Sequence, residues 1–145
     1  MSSDFRGAWR DGWYVVPHHV LYRDLDTFGH VNNAVFFTYF EWSRALLWWE
    51  ITGIRGPREI GFIVAHASCD FRSQVGIEPI DICVQIREMR HTSLDFHHEI
   101  RKQNGNDVAA SGKVTVVLFD WARQSKLPVT DELRRKVAEW SKDAY

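Results

Sequence analysis

The apolar positions of this chain change their spacing from element to element. The run WYVVPHHVLYR, Trp13 to Arg23, is β-branched and aromatic. It predicts a strand, with Pro17 tolerated at an edge or bulge because proline cannot donate to a ladder. The segment VNNAVFFTYFEWSRALLWWEI then takes up helical spacing. Val31, Val35, Trp42, Ala45, Leu46 and Trp49 fall on one side, and Phe36, Phe40 and Leu47 occupy much of the other. Only Glu41, Ser43, Arg44 and Glu50 leave a polar strip. A helix that is apolar nearly all round is a buried one, wrapped by other elements. Gly53, Gly56 and Pro57 supply the break after it.

From there the period is two. EIGFIVAHASCDF alternates in its second half, PIDICVQIREM alternates cleanly, and SLDFHHEIRKQ continues the pattern. Asn104 to Asp107 (NGND) carries the Asn-Gly signature of a hairpin, and AASGKVTVVLFDW reads as a long strand with Val114, Val116 and Leu118 on one face. TDELRRKVAEWSKDA predicts a short amphipathic helix, with Thr130 as cap, acids in its first turn, and Leu133, Val137 and Trp140 on one face. Residues 1–12 hold too little apolar content to pack alone and predict a loose arm; residues 13–145 read as one α+β domain, without repeat or linker. A sheet covering an apolar helix has to curve around it, and one chain of 145 residues covers one side only. The helix surface left over predicts a homodimer.

Composition removes several function classes. A net charge of −1 provides no long-range field for a polyanion, so nucleic acid is not an expected partner. The two cysteines, Cys69 and Cys83, lack ligand spacing and read as reduced core thiols of a cytoplasmic protein. The polar start and the lack of a run of roughly 20 apolar residues predict neither a signal peptide nor a membrane span.

The stretch RDLDTFGHVNN, Arg23 to Asn33, holds the candidate chemistry. Asp24 and Asp26 share a face if the strand continues, and Gly29 permits a sharp bend. His30, Asn32 and Asn33 stand where the helix begins, and its first backbone N–H groups have no intrahelical partners. Those donors and the helix dipole suit an oxyanion or a polarised carbonyl, with a carboxylate close upstream. The same residue types also build an ordinary cap or Asx turn, and spacing alone leaves both readings open. Asp24 reads as a residue that ties the turn together. Asn32 either caps the helix or orients water. Adjacent His18 and His19, like His97 and His98, point to opposite faces of a strand and make a poor metal pair, so no metal is expected. Arg87, Arg90, His91 and Lys113 either meet phosphates or are solvated sheet edge. No G-x-S-x-G is present, and neither cysteine has a base nearby in sequence, which argues against a serine or cysteine hydrolase.

The run DLDTFGHVNNAVFFTYFEWSR resembles the D-x-D-x-x-G-H-V-x-N-x-x-Y-x-x-[FY]-x-E-x-x-R signature of hotdog-fold acyl thioesterases of the 4-hydroxybenzoyl-CoA thioesterase-like group. CDFRSQVGIEPIDICVQI and REMRHTSLDFHHEIRKQNGNDVAASGKVTVVLFD resemble that group's later strands, so the likeness spans roughly residues 13–140. It implies a hotdog fold: a long central helix wrapped by a curved antiparallel sheet, with a short C-terminal helix, assembled as a homodimer or homotetramer with sites between subunits. It also implies hydrolysis of an acyl-CoA or acyl-carrier-protein thioester, with coenzyme A as part of the substrate and no other cofactor. Asp26 would be the catalytic carboxylate and the backbone N–H of Asn33 the carbonyl-polarising donor. His30 is a further catalytic candidate; Asn32, Ser93 and Arg90 are candidates for substrate binding. Where the signature has tyrosine, this chain has Phe36 or Phe37, so no hydroxyl is supplied there. A hydratase or dehydratase of the same fold and a non-catalytic acyl-binding protein are the alternatives.

Overall fold

A computed structural model describes residues 7–54, 61–105 and 107–142. Two short strands open it, β1 (Ala8–Arg10) and β2 (Trp13–His19), followed by a single 3-10 turn at Tyr22–Asp24. Helix α1 spans Asn33–Thr52, and strands β3 (Phe62–Phe71), β4 (Pro79–Met89), β5 (Ser93–Lys102) and β6 (Val108–Asp120) follow. A two-residue strand β7 (Ser125–Lys126) and helix α2 (Asp131–Lys142) complete the order. All pairings are antiparallel, in the order β1-β2-β4-β5-β6-β3, with β7 beside β6.

Alternation on the strands decides which face meets α1. Ile80, Ile82 and Val84 of β4 are buried, as are Leu94, Phe96, His98 and Ile100 of β5 and Val114, Val116 and Leu118 of β6. They join Phe36, Tyr39, Phe40, Leu46, Leu47, Trp48 and Ile51 of the helix in one core. The helix comes very near the sheet at Gly112. A Cβ there would run into the Phe40 ring and stand 2.7 Å from the Ser68 carbonyl oxygen, so only glycine permits the approach. Asn32 caps the start of α1, its Oδ1 accepting from the Ala34 N–H at 2.9 Å. Gly53, at φ 75°, closes the end in the left-handed region, and its N–H donates to Trp49 O at 2.8 Å. Gly56 and Pro57, the other expected breakers, lie outside the described residues.

Two sequence expectations need revision. The described part of the loose arm is a hairpin instead, because Trp9 packs against Tyr14 and Trp140 at ring-centroid distances of 5.8 and 5.9 Å. The expected strand from Trp13 to Arg23 stops at His19, where the chain turns into the 3-10 turn. The polar strip of α1 is divided: Ser43 and Arg44 are buried, while Glu41 and the neighbouring Trp42 are exposed. Ser43 is drawn inward by donating to Phe40 O at 3.0 Å and by contact with His98 Nδ1 at 3.3 Å. Among the described residues, no helix is long and apolar enough to cross a membrane.

Candidate active site

The connection between the 3-10 turn and α1 is a miniature hairpin. Leu25 and Val31 form an isolated antiparallel bridge, the Asp26 N–H donates to His30 O at 2.8 Å, and the Gly29 N–H donates to Asp26 O at 3.1 Å. Gly29 closes the loop at φ 81°, which any side chain would strain. The Asp26 carboxylate folds over the same turn, Oδ1 accepting from the Phe28 N–H at 2.9 Å. Two bonds then pin the loop to its neighbours: the Val31 N–H donates to Val75 O at 2.7 Å, and the Asn32 N–H donates to Asp24 O at 2.9 Å.

This folding brings the expected catalytic groups together. Asp26, His30 and Asn33 border one cavity of about 260 Å³, closed on its apolar side by Phe36 and Phe71. The Asn33 N–H has no hydrogen-bond partner among the described residues, as the first turn of a helix leads one to expect. His30 Nδ1 is buried and likewise unpartnered. Asp26 also borders a second, broader hollow across the loop, shared with Asn32 and Gly29. Asp26 with its half-buried carboxylate, Asn33 at the positive end of a 20-residue helix, and His30 thus line a common space. Such a space can hold a carbonyl, polarise its oxygen and bring an oxygen nucleophile to its carbon.

Asp24 points away to a separate task. Its Oδ2 accepts from Tyr39 OH at 2.8 Å and from the Leu21 N–H at 3.1 Å, and His18 Nε2 stands at an ion-pair distance of 3.8 Å. Burial, together with this bond to Asp24, pushes the Tyr39 hydroxyl well above its usual range. Burial lowers His18 in spite of the pull from Asp24. Tyr39 therefore ties the loop to α1 and is no proton source.

Arg90 and Ser93 are not brought to this cavity. Arg90 donates through Nε to Ser93 Oγ at 2.9 Å and through both terminal nitrogens to Asp95 at 3.1 and 2.6 Å. Thr115 Oγ1 adds a bond to Asp95 at 2.7 Å, and the Arg90 guanidinium holds the Asp95 carboxyl below its ordinary range. Arg90 and Asp95 thus build a fork-to-fork ion pair, with Ser93 on the Arg90 Nε, and together they lock the β4–β5 hairpin. In their place the cavity gains Arg72, Ser73 and Gln74, which follow β3. Their short polar run carries no motif, so nothing in the sequence singles them out. Among the described residues, no three His, Cys, Asp or Glu side chains converge as metal ligands.

A family model for the thioesterase-like superfamily matches residues 20–139. The chain belongs to this superfamily. As a thioesterase-like protein it shares its fold with a predicted thioesterase from Bacillus stearothermophilus, at a TM-score of 0.81 and 21% identity over 88% of this chain and 95% of that one. A thioesterase from Thermus thermophilus, complexed with coenzyme A and Zn, is similar at a TM-score of 0.76 and 27% identity, covering 85% and 95% of the two chains. The uncharacterized protein YsmA of Bacillus subtilis (strain 168) is 27% identical over 114 residues, 78% of this chain and 77% of that one. The thioesterase-like chain therefore has the hotdog fold, its long helix lying on a seven-stranded antiparallel sheet.

Proposed function

We propose that this protein hydrolyses acyl thioesters of coenzyme A or of an acyl carrier protein, with Asp26 as the reacting carboxylate. One observation carries the reading: Asp26 and Asn33, whose N–H has no partner among the described residues, border the same cavity at the start of α1. The thioester oxygen accepts from Asn33 N–H, and the helix dipole favours the charge that develops on it. Asp26 then either attacks the carbonyl carbon, giving a mixed anhydride that water opens, or takes a proton from a water that attacks directly. By either route the C–S bond breaks, the sulfur leaves as thiolate and regains a proton, and a free acid is released. His30, which lines the same cavity, is given contact with the attacking water or the leaving group in this reading. Asn32 borders the second hollow and is given to substrate contact there. Arg90 and Ser93 have no part in this reading, because Asp95 and each other occupy them.

The working unit in this proposal is a homodimer, capable of pairing into a tetramer. Its support is physical: β3 is an edge strand beside α1, with Val64 50% exposed and Trp42 38% exposed on the same side. The proposal also assigns the protein to the cytoplasm, in keeping with two thiols whose burial raises them, Cys69 to about 11 and Cys83 to about 12.

Thiol release from a panel of acyl-CoA substrates tests the assignment. Asp26→Asn should lower kcat/KM by roughly 100- to 10,000-fold, the span of a lost general base, while circular dichroism and assembly stay unchanged. Full activity in that variant removes Asp26 from the mechanism. Hydration of an enoyl thioester without thiol release makes the protein a hydratase, and binding without turnover makes it a non-catalytic acyl-binding protein.

A further inference from the structure

The flank of α1 beside β3 is unfinished in a single chain. A groove of about 410 Å³ runs along it, with Thr38, Glu41, Trp42, Arg44, Trp49 and Val64 in its walls. Arg44 is 6% exposed, and its Nε is enclosed without a partner among the described residues. Burial lowers it to about 10, so it stays charged at neutral pH. Glu41, in the same wall, is exposed and acts on Arg44 only through charge at longer range. A buried cation without a counterion is strongly unfavourable. Here the cation that lacks an anion and an anion that lacks a cation share one surface. A surface carrying both halves of a contact fits its own copy across a two-fold axis, where residue i meets residue j and j meets i.

The fold fixes how such an axis would run. β3 ends the sheet, and its residues 64–68 are exposed, so the open strand edge continues the groove. A two-fold axis along the sheet normal reverses every direction lying in the sheet. It sets β3 against its copy as an antiparallel pair and turns the two α1 helices antiparallel. Antiparallel copies bring level those residues that stand equally far from the axis. Glu41 and Arg44 lie either side of Trp42–Ser43, so each comes level with the other's counterpart. Thr38 and Trp49 lie either side of Ser43–Arg44, and Trp49 Nε1 is likewise buried without a partner among the described residues. An axis at the level of Ser43 leaves both pairs within about 1.5 Å of level, the rise of one residue. We propose that this flank docks on a second copy of the chain, with each Arg44 neutralised by the partner's Glu41. This contact rests on the homodimer reading and gives it a register. One arrangement then supplies both orphaned donors, Arg44 with a carboxylate and Trp49 with the hydroxyl of the partner's Thr38, and covers the exposed Trp42 and Val64.

Two charge reversals, mixed, test the contact. A homodimer of Arg44→Glu sets carboxylate against carboxylate, and a homodimer of Glu41→Arg sets guanidinium against guanidinium. Each variant alone should raise the dimer dissociation constant roughly 100-fold or more in sedimentation, since like charges across an interface are strongly unfavourable. Mixed in equal amounts, the two variants restore opposite charges at both contacts. Native mass spectrometry should then show the heterodimer roughly 10-fold or more above its statistical share. An ion pair made within one chain is broken in each variant whether alone or mixed. A statistical mixture therefore overturns the contact and leaves the homodimer standing. A wild-type chain that sediments as a monomer at high micromolar concentration removes the homodimer, and the contact with it. If circular dichroism shows that the reversals do not fold, Glu41→Gln decides. It should raise the dissociation constant roughly 10-fold in the wild type and not at all in Arg44→Met, because the coupling is already gone there. An equal rise in both backgrounds, or none in either, overturns the contact.

Discussion

The N–H of the first helical residue is a backbone donor that can be deleted without breaking the helix. Asn33 occupies that position in α1, and Asn32 before it, at φ −59° and ψ 135°, already has the extended backbone that proline demands of its neighbour. Asn33→Pro should therefore keep the fold and melting temperature nearly intact and lower kcat roughly 100- to 1,000-fold, the loss seen when an oxyanion donor is removed. A normal kcat in that variant would move the oxyanion elsewhere. At this scale the sequence is informative where the geometry is local. Asp26, Gly29, His30 and Asn33 are close in the chain, and a tight turn before a helix leaves them little choice but to meet. Arg72 to Gln74 were not legible, because only the pairing of β3 with β6 carries them to the cavity. Arg90 and Ser93 mislead for the same reason, since their partner Asp95 is set by a hairpin register that spacing does not disclose.

Between elements, the contact of α1 with β5 sets an acid limit on stability. His98 is fully buried, stacked on Phe40 at 4.5 Å, and faces Arg44 and His97. Ser43 gives its only proton to Phe40 O, so His98 Nδ1 must donate to Ser43 Oγ, which leaves Nε2 unprotonated and unpartnered. Burial first, and then the nearby cations, press this imidazole well below its ordinary value of 6.5. The unfolded chain therefore binds a proton that the folded one refuses, so stability falls as pH drops through about 6.5. Burial lowers His18 and His97 in the same direction. His98→Phe keeps the ring on Phe40 and should lose less stability than the wild type between pH 7 and pH 5 in urea titrations; parallel losses would show that His98 is not the sensor. The long helix and the four long strands were readable because each repeats one period many times. β1 and β7 were not: one spans three residues, the other two, and each exists only through its neighbour. The helical period assigns Ser43 and Arg44 to a polar strip because it gives a direction, but it does not give the width of the sheet that buries them.

For the molecule as a whole, the free edge of β3 has the largest consequence for assembly. An edge strand that exposes an apolar residue such as Val64 invites pairing, and a charge there is the usual deterrent. Val64→Lys should shift the protein toward monomer in sedimentation and reduce thioester turnover with it. An unchanged sedimentation coefficient would place the dimer contact on another face. A helix too greasy for one chain to cover leads one to expect a partner, but spacing does not say which edge would meet it, since strand order is a property of the folded sheet. At the opposite side of the molecule, Trp9, Tyr14 and Trp140 meet in one aromatic cluster, with Trp9 and Trp140 only 5.9 Å apart. The beginning and the end of the described chain are thereby fastened to each other, so the fold closes on itself like a ring with a clasp. Such a chain lends itself to circular permutation: its two ends could be spliced there and new ends cut at the exposed Trp121–Gln124 turn, with every strand keeping its neighbours.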